Sequence, residues 1–240
     1  MRTRKEYFQA AIMLLAIFLA LNVIQGNRFF SFDMFITKLY LLPGIIIGLT
    51  LHEFSHALVS YKLGDPTPHM QGRVSINPLK HIDPIGFVAL IIAGFGWGIP
   101  VQINPNYYKH RRRDEALVAV AGVTMNFIIA VIFILTMKLI ISIMGFNIAG
   151  NQAISILIKV LSLGAYINIV LMIFNLMPIP PLDGFNIVTH IFKLDKYSWW
   201  GKLYQSGTFI LVALILFDII NKVLNPIVSI IYNGLMSFII

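Results

Sequence analysis

Between Ala116 and Met144 the chain runs for 29 residues with one charged side chain, Lys138. Such a run is far too long for a strand and too apolar to be left in water. As a helix rising 1.5 Å per residue it exceeds the ~30 Å hydrocarbon core of a bilayer. Comparable apolar stretches lie at about 8–24, 39–63, 153–177 and 206–238. In lipid a helix satisfies its own backbone hydrogen bonds, which an isolated strand cannot do. The chain therefore reads as an all-α polytopic membrane protein, a single membrane-embedded domain over residues 1–240 with about five to six transmembrane helices. Only 12% of its residues are charged, about half the share of a soluble domain.

Between these runs the pattern changes. The segment Gly64–Gly86 is rich in Pro and Gly, and within it Arg73–Asn77, "RVSIN", alternates polar and apolar residues as a short strand would. The stretch at about 85–100 is apolar but short for a span and carries several glycines. It reads as a re-entrant or interfacial segment. Asn225-Pro226 interrupts the last run, which is either one span with a surface helix or two short spans. The basic start followed by an apolar core resembles a signal peptide, but no small-residue cleavage site follows it, so a retained first helix is expected.

The cations give an orientation. Thirteen of the eighteen Lys and Arg residues fall in four places: the N-terminus, the loop after the second run, the Lys109–Arg113 loop and the Phe185–Gln205 loop. The positive-inside rule puts all four on the cytoplasmic side of a cell membrane, provided the glycine-rich segment does not cross. The net charge of +8 is then loop bias toward the lipid bilayer, with no nucleic-acid partner implied. There is no cysteine, so a metal would have to be held by His and carboxylate.

One apolar run contains an anomaly. "HEFSH", His52 to His56, places two imidazoles and a carboxylate in an oily helix, where ionisable groups are costly and mark function by default. Residues four apart share a helix face, so His52 and His56 can address one metal ion. Glu53, one position on, stands beside that ion and can take a proton from an activated water. The bland reading is a polar cluster joining helices by hydrogen bonds. A zinc site needs a third protein ligand. Asp183 in "NLMPIPPLDG" lies at the matching end of another span, but spacing alone leaves it equally a ligand or a turn and cap residue. His69, His81, His110 and His190 read as ordinary loop histidines, and Trp97, Trp199 and Trp200 as interface anchors.

Taken together, "HEFSH" on one span and "NLMPIPPLDG" on a later one resemble the two signatures of the site-2 protease family of intramembrane zinc metalloproteases, in its prokaryotic branch without an inserted peptide-binding domain. Asn175, Pro178, Pro180, Leu182, Asp183 and Gly184 match the second signature position for position, and the similarity covers about Gly48 to Asn186. The resemblance implies one Zn2+ per chain on His52, His56 and Asp183, with Glu53 as catalytic base. It also implies a three-helix core open to the cytosol and a transmembrane protein as substrate. One departure is "AGVTMN", where Val123 stands in place of an expected Pro, which bears on the local helix start. Asn126 is expected to donate to the oxyanion, to orient a ligand or to join two helices. Asn175, Pro178 and Pro180 are expected to meet an unwound substrate, the prolines by leaving backbone free to pair with it. Alternatives from other classes are a transporter with an intramembrane metal site and a non-catalytic relative that binds clients. The sequence does not fix the oligomeric state.

Overall fold

The computed structural model describes residues 32–93, 96, 98–148 and 150–237. The expected first helix at about 8–24 lies outside them. Seven helices carry the fold: α1 (Phe32–Lys62), α2 (Pro84–Ala93), α3 (Arg111–Met144), α4 (Gln152–Leu176), α5 (Asp183–Phe192), α6 (Ser198–Leu216) and α7 (Ile219–Met236). A one-turn helix, Thr67–Met70, follows α1. Four of the described helices are long and apolar enough to cross a membrane: α1, α3, α4 and α7.

The three long helices pack on one another more extensively than any other elements. Small residues allow this. A Cβ on Gly44 of α1 would stand 2.5 Å from Gly164 Cα of α4, so the two backbones touch there. One turn on, a Cβ on Gly48 would strike the Asn168 side chain. Asn168 is fully buried, and its amide donates to the Gly44 and Gly164 carbonyls at 3.1 and 2.8 Å. Val123, in the expected proline position, is a buried mid-helix residue of α3, which runs on through it.

α2 has ten residues, about 15 Å of helix, half a bilayer core. The two ends of this excursion meet: Ile82 bridges Gly98, and Ile99 N–H donates to the His81 carbonyl at 2.7 Å. That isolated bridge is the whole of the β-pairing among the described residues. The expected "RVSIN" strand does not form. The Ser75 amide turns back to the Arg73 carbonyl at 2.9 Å, and the Ser75 carbonyl accepts from His81 Nε2 at 2.6 Å. Arg73 is buried in this loop, and burial falls off along the segment rather than alternating.

Two further expectations change at the C-terminal side. The polar Phe185–Gln205 loop is largely helical, within α5 and α6. Trp200 within it has partners inside the chain: its Nε1 donates to buried Thr189 at 3.1 Å, and its ring stacks on Phe185 and Tyr204. The break in the last apolar run falls at Asp218, whose backbone is left-handed with φ 58°, while Pro226 sits inside α7. Asp218 accepts from Asn221 Nδ2 at 2.7 Å, which fixes the corner.

Candidate metal centre

α1 presents His52 and His56 to α3. His56 Nδ1 is 2.7 Å from the Val118 carbonyl, an acceptor only, so Nδ1 carries the proton. His52 Nδ1 is 2.8 Å from Asn126 Oδ1. The Asn126 amide nitrogen faces Asn168 Oδ1 at 3.4 Å, which leaves its oxygen to accept from His52. Both imidazoles are thus held by their Nδ1–H groups, and each ring in its neutral form keeps its Nε2 lone pair for a ligand bond.

Those lone pairs face each other at 2.9 Å. Asp183 Oδ2 completes the group, 3.3 Å from His52 Nε2 and 3.2 Å from His56 Nε2. This oxygen is buried and receives no hydrogen bond from any described residue. Three electron-pair donors lie about 3 Å from one another, the arrangement a shared cation needs. Ligands at about 2.0–2.1 Å from a tetrahedral zinc stand about 3.3–3.4 Å apart, close to the spacing here. The residues fit a metal ion.

Room for it is made by Gly122 of α3. A Cβ there would stand 2.4 Å from His56 Nε2 and 2.7 Å from His52 Cε1. Asp183 itself is delivered by the turn after α4. The Leu182 amide bonds the Ile179 carbonyl, and Gly184 lies where a Cβ would be 2.1 Å from the Leu176 carbonyl. α5 then packs along α3, while its buried Phe185 meets Trp200 and Tyr204 of α6. Farther along, His190 pairs with Glu115 at 3.2 Å and Arg112 makes two bonds to Asp195, tying the segment to α3. Burial pushes the His190 imidazole below its ordinary value, with Glu115 opposing.

Glu53 is half-buried, and its Oε2 accepts the Val101 amide at 3.0 Å. That amide belongs to the chain returning from α2. The return is held on its other side by the Arg73 guanidinium, which donates to the Ile99 carbonyl. His81 is fully buried, no ordinary loop histidine, and burial pushes its imidazole below the ordinary value. Arg73, Gly122 and Asn168 carry no functional reading in the sequence, and His81 reads there as an ordinary loop histidine. A signal existed for Asn168, a polar residue mid-span, and for Gly122, one turn before Asn126.

The remaining expected residues are less central. Asn126 is fully buried and turned to His52 and Asn168. Asn175 donates to the Leu171 carbonyl at 3.0 Å. Pro178 is exposed, while Pro180 is buried against Gly207. The amides of Met177, Ile179 and Leu182 are bonded locally, and the carbonyls of the same three residues accept local bonds, so residues 177–182 have no spare amide donor for a paired strand.

Residues 135–217 match the family model described as Peptidase family M50. The match takes in Asp183 and leaves the His pair outside. Over 195 residues the chain is 33% identical to the Bacillus subtilis (strain 168) protein named "Putative zinc metalloprotease YwhC", covering 79% of this chain and 86% of that one. It is 26% identical over 188 residues to "Putative zinc metalloprotease Rip2" of Mycolicibacterium smegmatis, covering 75% and 68%. The Rip2 protein of Mycobacterium tuberculosis (strain H37Rv) is 27% identical over 186 residues, with the same coverage. No solved structure matches.

Proposed function

This chain belongs to Peptidase family M50, the site-2 protease family, and from that premise we propose an intramembrane zinc endopeptidase. It cuts a peptide bond in or near a transmembrane segment of another membrane protein. The observation that carries the reading is the convergence of the buried Asp183 Oδ2 on the Nε2 atoms of His52 and His56, at 3.3 and 3.2 Å.

His52, His56 and Asp183 would hold one zinc ion per chain. When bound, zinc polarises the scissile carbonyl and makes a water acidic enough to attack near neutral pH. The other tasks fall to the chain. Glu53 takes the proton of the attacking water and returns it to the leaving amine. The Val101 amide fixes the rotation of that carboxylate through Oε2. Asn126 holds His52 in the tautomer that leaves Nε2 free, acting through the ligand rather than on the oxyanion. The turn with Pro178 and Pro180 projects Asp183, and Asn175 and the exposed Pro178 border the substrate.

The active site opens to the cytoplasm in this reading, which the cation distribution supports, and the α2 excursion enters the bilayer and returns. Its closed ends support this, since a ten-residue helix is too short to cross. The test is Glu53→Gln, assayed on a single-span model substrate in proteoliposomes. The variant keeps its zinc and loses about 10²–10⁴-fold in rate. Undiminished cleavage by the purified variant would overturn the assignment.

A further inference from the structure

The helix faces that carry Glu53 and Asn175 lead to a cavity that the hydrolytic chemistry does not use. Ile45 and Leu49 lie two turns and one turn before Glu53 on α1, at the i, i+4 spacing that aligns side chains. Ile167 and Leu171 stand in the same relation to Asn175 on α4. With Phe87 and Leu90 of α2 they line a cavity of about 60 Å³ whose walls are almost wholly apolar. The returning chain closes over it by a tight approach: a Cβ on Gly96 would stand 2.1 Å from the Gly86 carbonyl.

We propose that this cavity is a specificity pocket. It takes one aliphatic side chain of the substrate, from a residue beside the bond being cut. The inference rests on the peptidase reading above. A substrate segment lying extended at Glu53 sends successive side chains to opposite sides. A side chain directed between α1 and α4 meets Leu49 and Leu171 first. A polar group there would find no partner. An engineered apolar cavity of about 150 Å³ accepts benzene. This one is less than half that size, so an isopropyl or isobutyl group fits and an aromatic ring does not. A methyl group leaves much of the wall without contacts.

The test uses the purified zinc-loaded protein and four peptidyl hydroxamates, zinc-chelating probes whose side chain is methyl, isopropyl, isobutyl or benzyl. Affinities are measured by thermal shift and competition. The branched aliphatic compounds bind about tenfold or more tighter than the methyl one. The benzyl compound binds no tighter than methyl, although it is the more lipophilic and partitions better into detergent. Leu171→Phe fills the cavity and levels the series. Leu90→Ala enlarges it, and the benzyl compound gains about tenfold. Zinc content at the wild-type level shows that both variants retain the metal centre. A ranking that follows lipophilicity in all three proteins, or no ranking at all, overturns the pocket while leaving the peptidase reading in place. Failure of every hydroxamate to bind overturns the peptidase reading itself, and the pocket with it.

Discussion

Asp65 and Asp183 each lie just past the end of an apolar span, and their surroundings are opposite. Asp65 is fully buried and saturated. Its Oδ1 accepts the Thr67 amide at 2.9 Å, and its Oδ2 accepts the Asn104 amide at 2.7 Å and the Ser60 hydroxyl at 3.0 Å. Asp183 has the reverse arrangement, its buried Oδ2 facing two imidazole nitrogens with no backbone amide or hydroxyl donor among the described residues. A carboxylate supplied with donors closes a fold, since charged hydrogen bonds within it stabilise the chain. A carboxylate kept bare among nitrogens costs stability until a cation arrives.

The comparison breaks if the two aspartates respond alike. Asp183→Ala abolishes zinc retention and cleavage, yet leaves the thermal stability of the metal-free protein unchanged or higher. Asp65→Ala does the reverse, lowering metal-free stability while the three ligands stay in place. Metal analysis paired with thermal unfolding in detergent, with and without chelator, reads both. A metal-free protein destabilised equally by either change would show that Asp183 is structural.

A smaller effect tests whether the bare site is kept open on purpose. Gly122→Ala puts a methyl group against two rings that cannot swing away, because Val118 and Asn126 hold their far nitrogens. Zinc affinity falls about 100-fold, measured by competition with a chelator. Asn126→Leu removes one of those anchors and strands Asn168 Oδ1, weakening zinc about 10–100-fold. Unchanged affinity in either variant would mean that the rings are positioned by something else.

How much of this was legible in the chain depends on whether the relevant contact is local. His52 and His56 are, because one helical turn joins them and the sequence carries that period. The choice for Asp183 between ligand and cap is not, since it turns on a long-range approach, the carboxylate lying 3.2–3.3 Å from imidazoles of another helix. Gly122 looks like any helix glycine until the rings opposite are placed. The "RVSIN" pattern misled for a related reason: Arg73 is polar and buried at once, reaching Ile99 across 26 positions. The chain break showed a similar limit. Pro226 is tolerated inside α7, as membrane helices allow, while the corner is set by the backbone of Asp218.

The smallest effect is the pH response of the saturated carboxylate. Burial alone would push Asp65 up, but its bonds to Thr67, Asn104 and Ser60 outweigh burial and hold it below the ordinary value. A group whose folded pKa is depressed contributes stability above its unfolded value, about 3.9, and that contribution is lost as pH falls through the folded value. Tyr108, whose hydroxyl lies 2.7 Å from Ser60, is pushed up to about 12 by burial and stays neutral throughout, so it does not blur the window. Asp65→Asn keeps an acceptor for Thr67 but turns a donor toward the Asn104 amide. At neutral pH it costs about 1–3 kcal/mol. Between about pH 5 and pH 3 the wild type loses more stability than this variant, so the gap between their unfolding temperatures narrows. A constant gap across that range would mean that Asp65 titrates no differently in the folded chain, and that its four-residue network is not what sets it apart from Asp183.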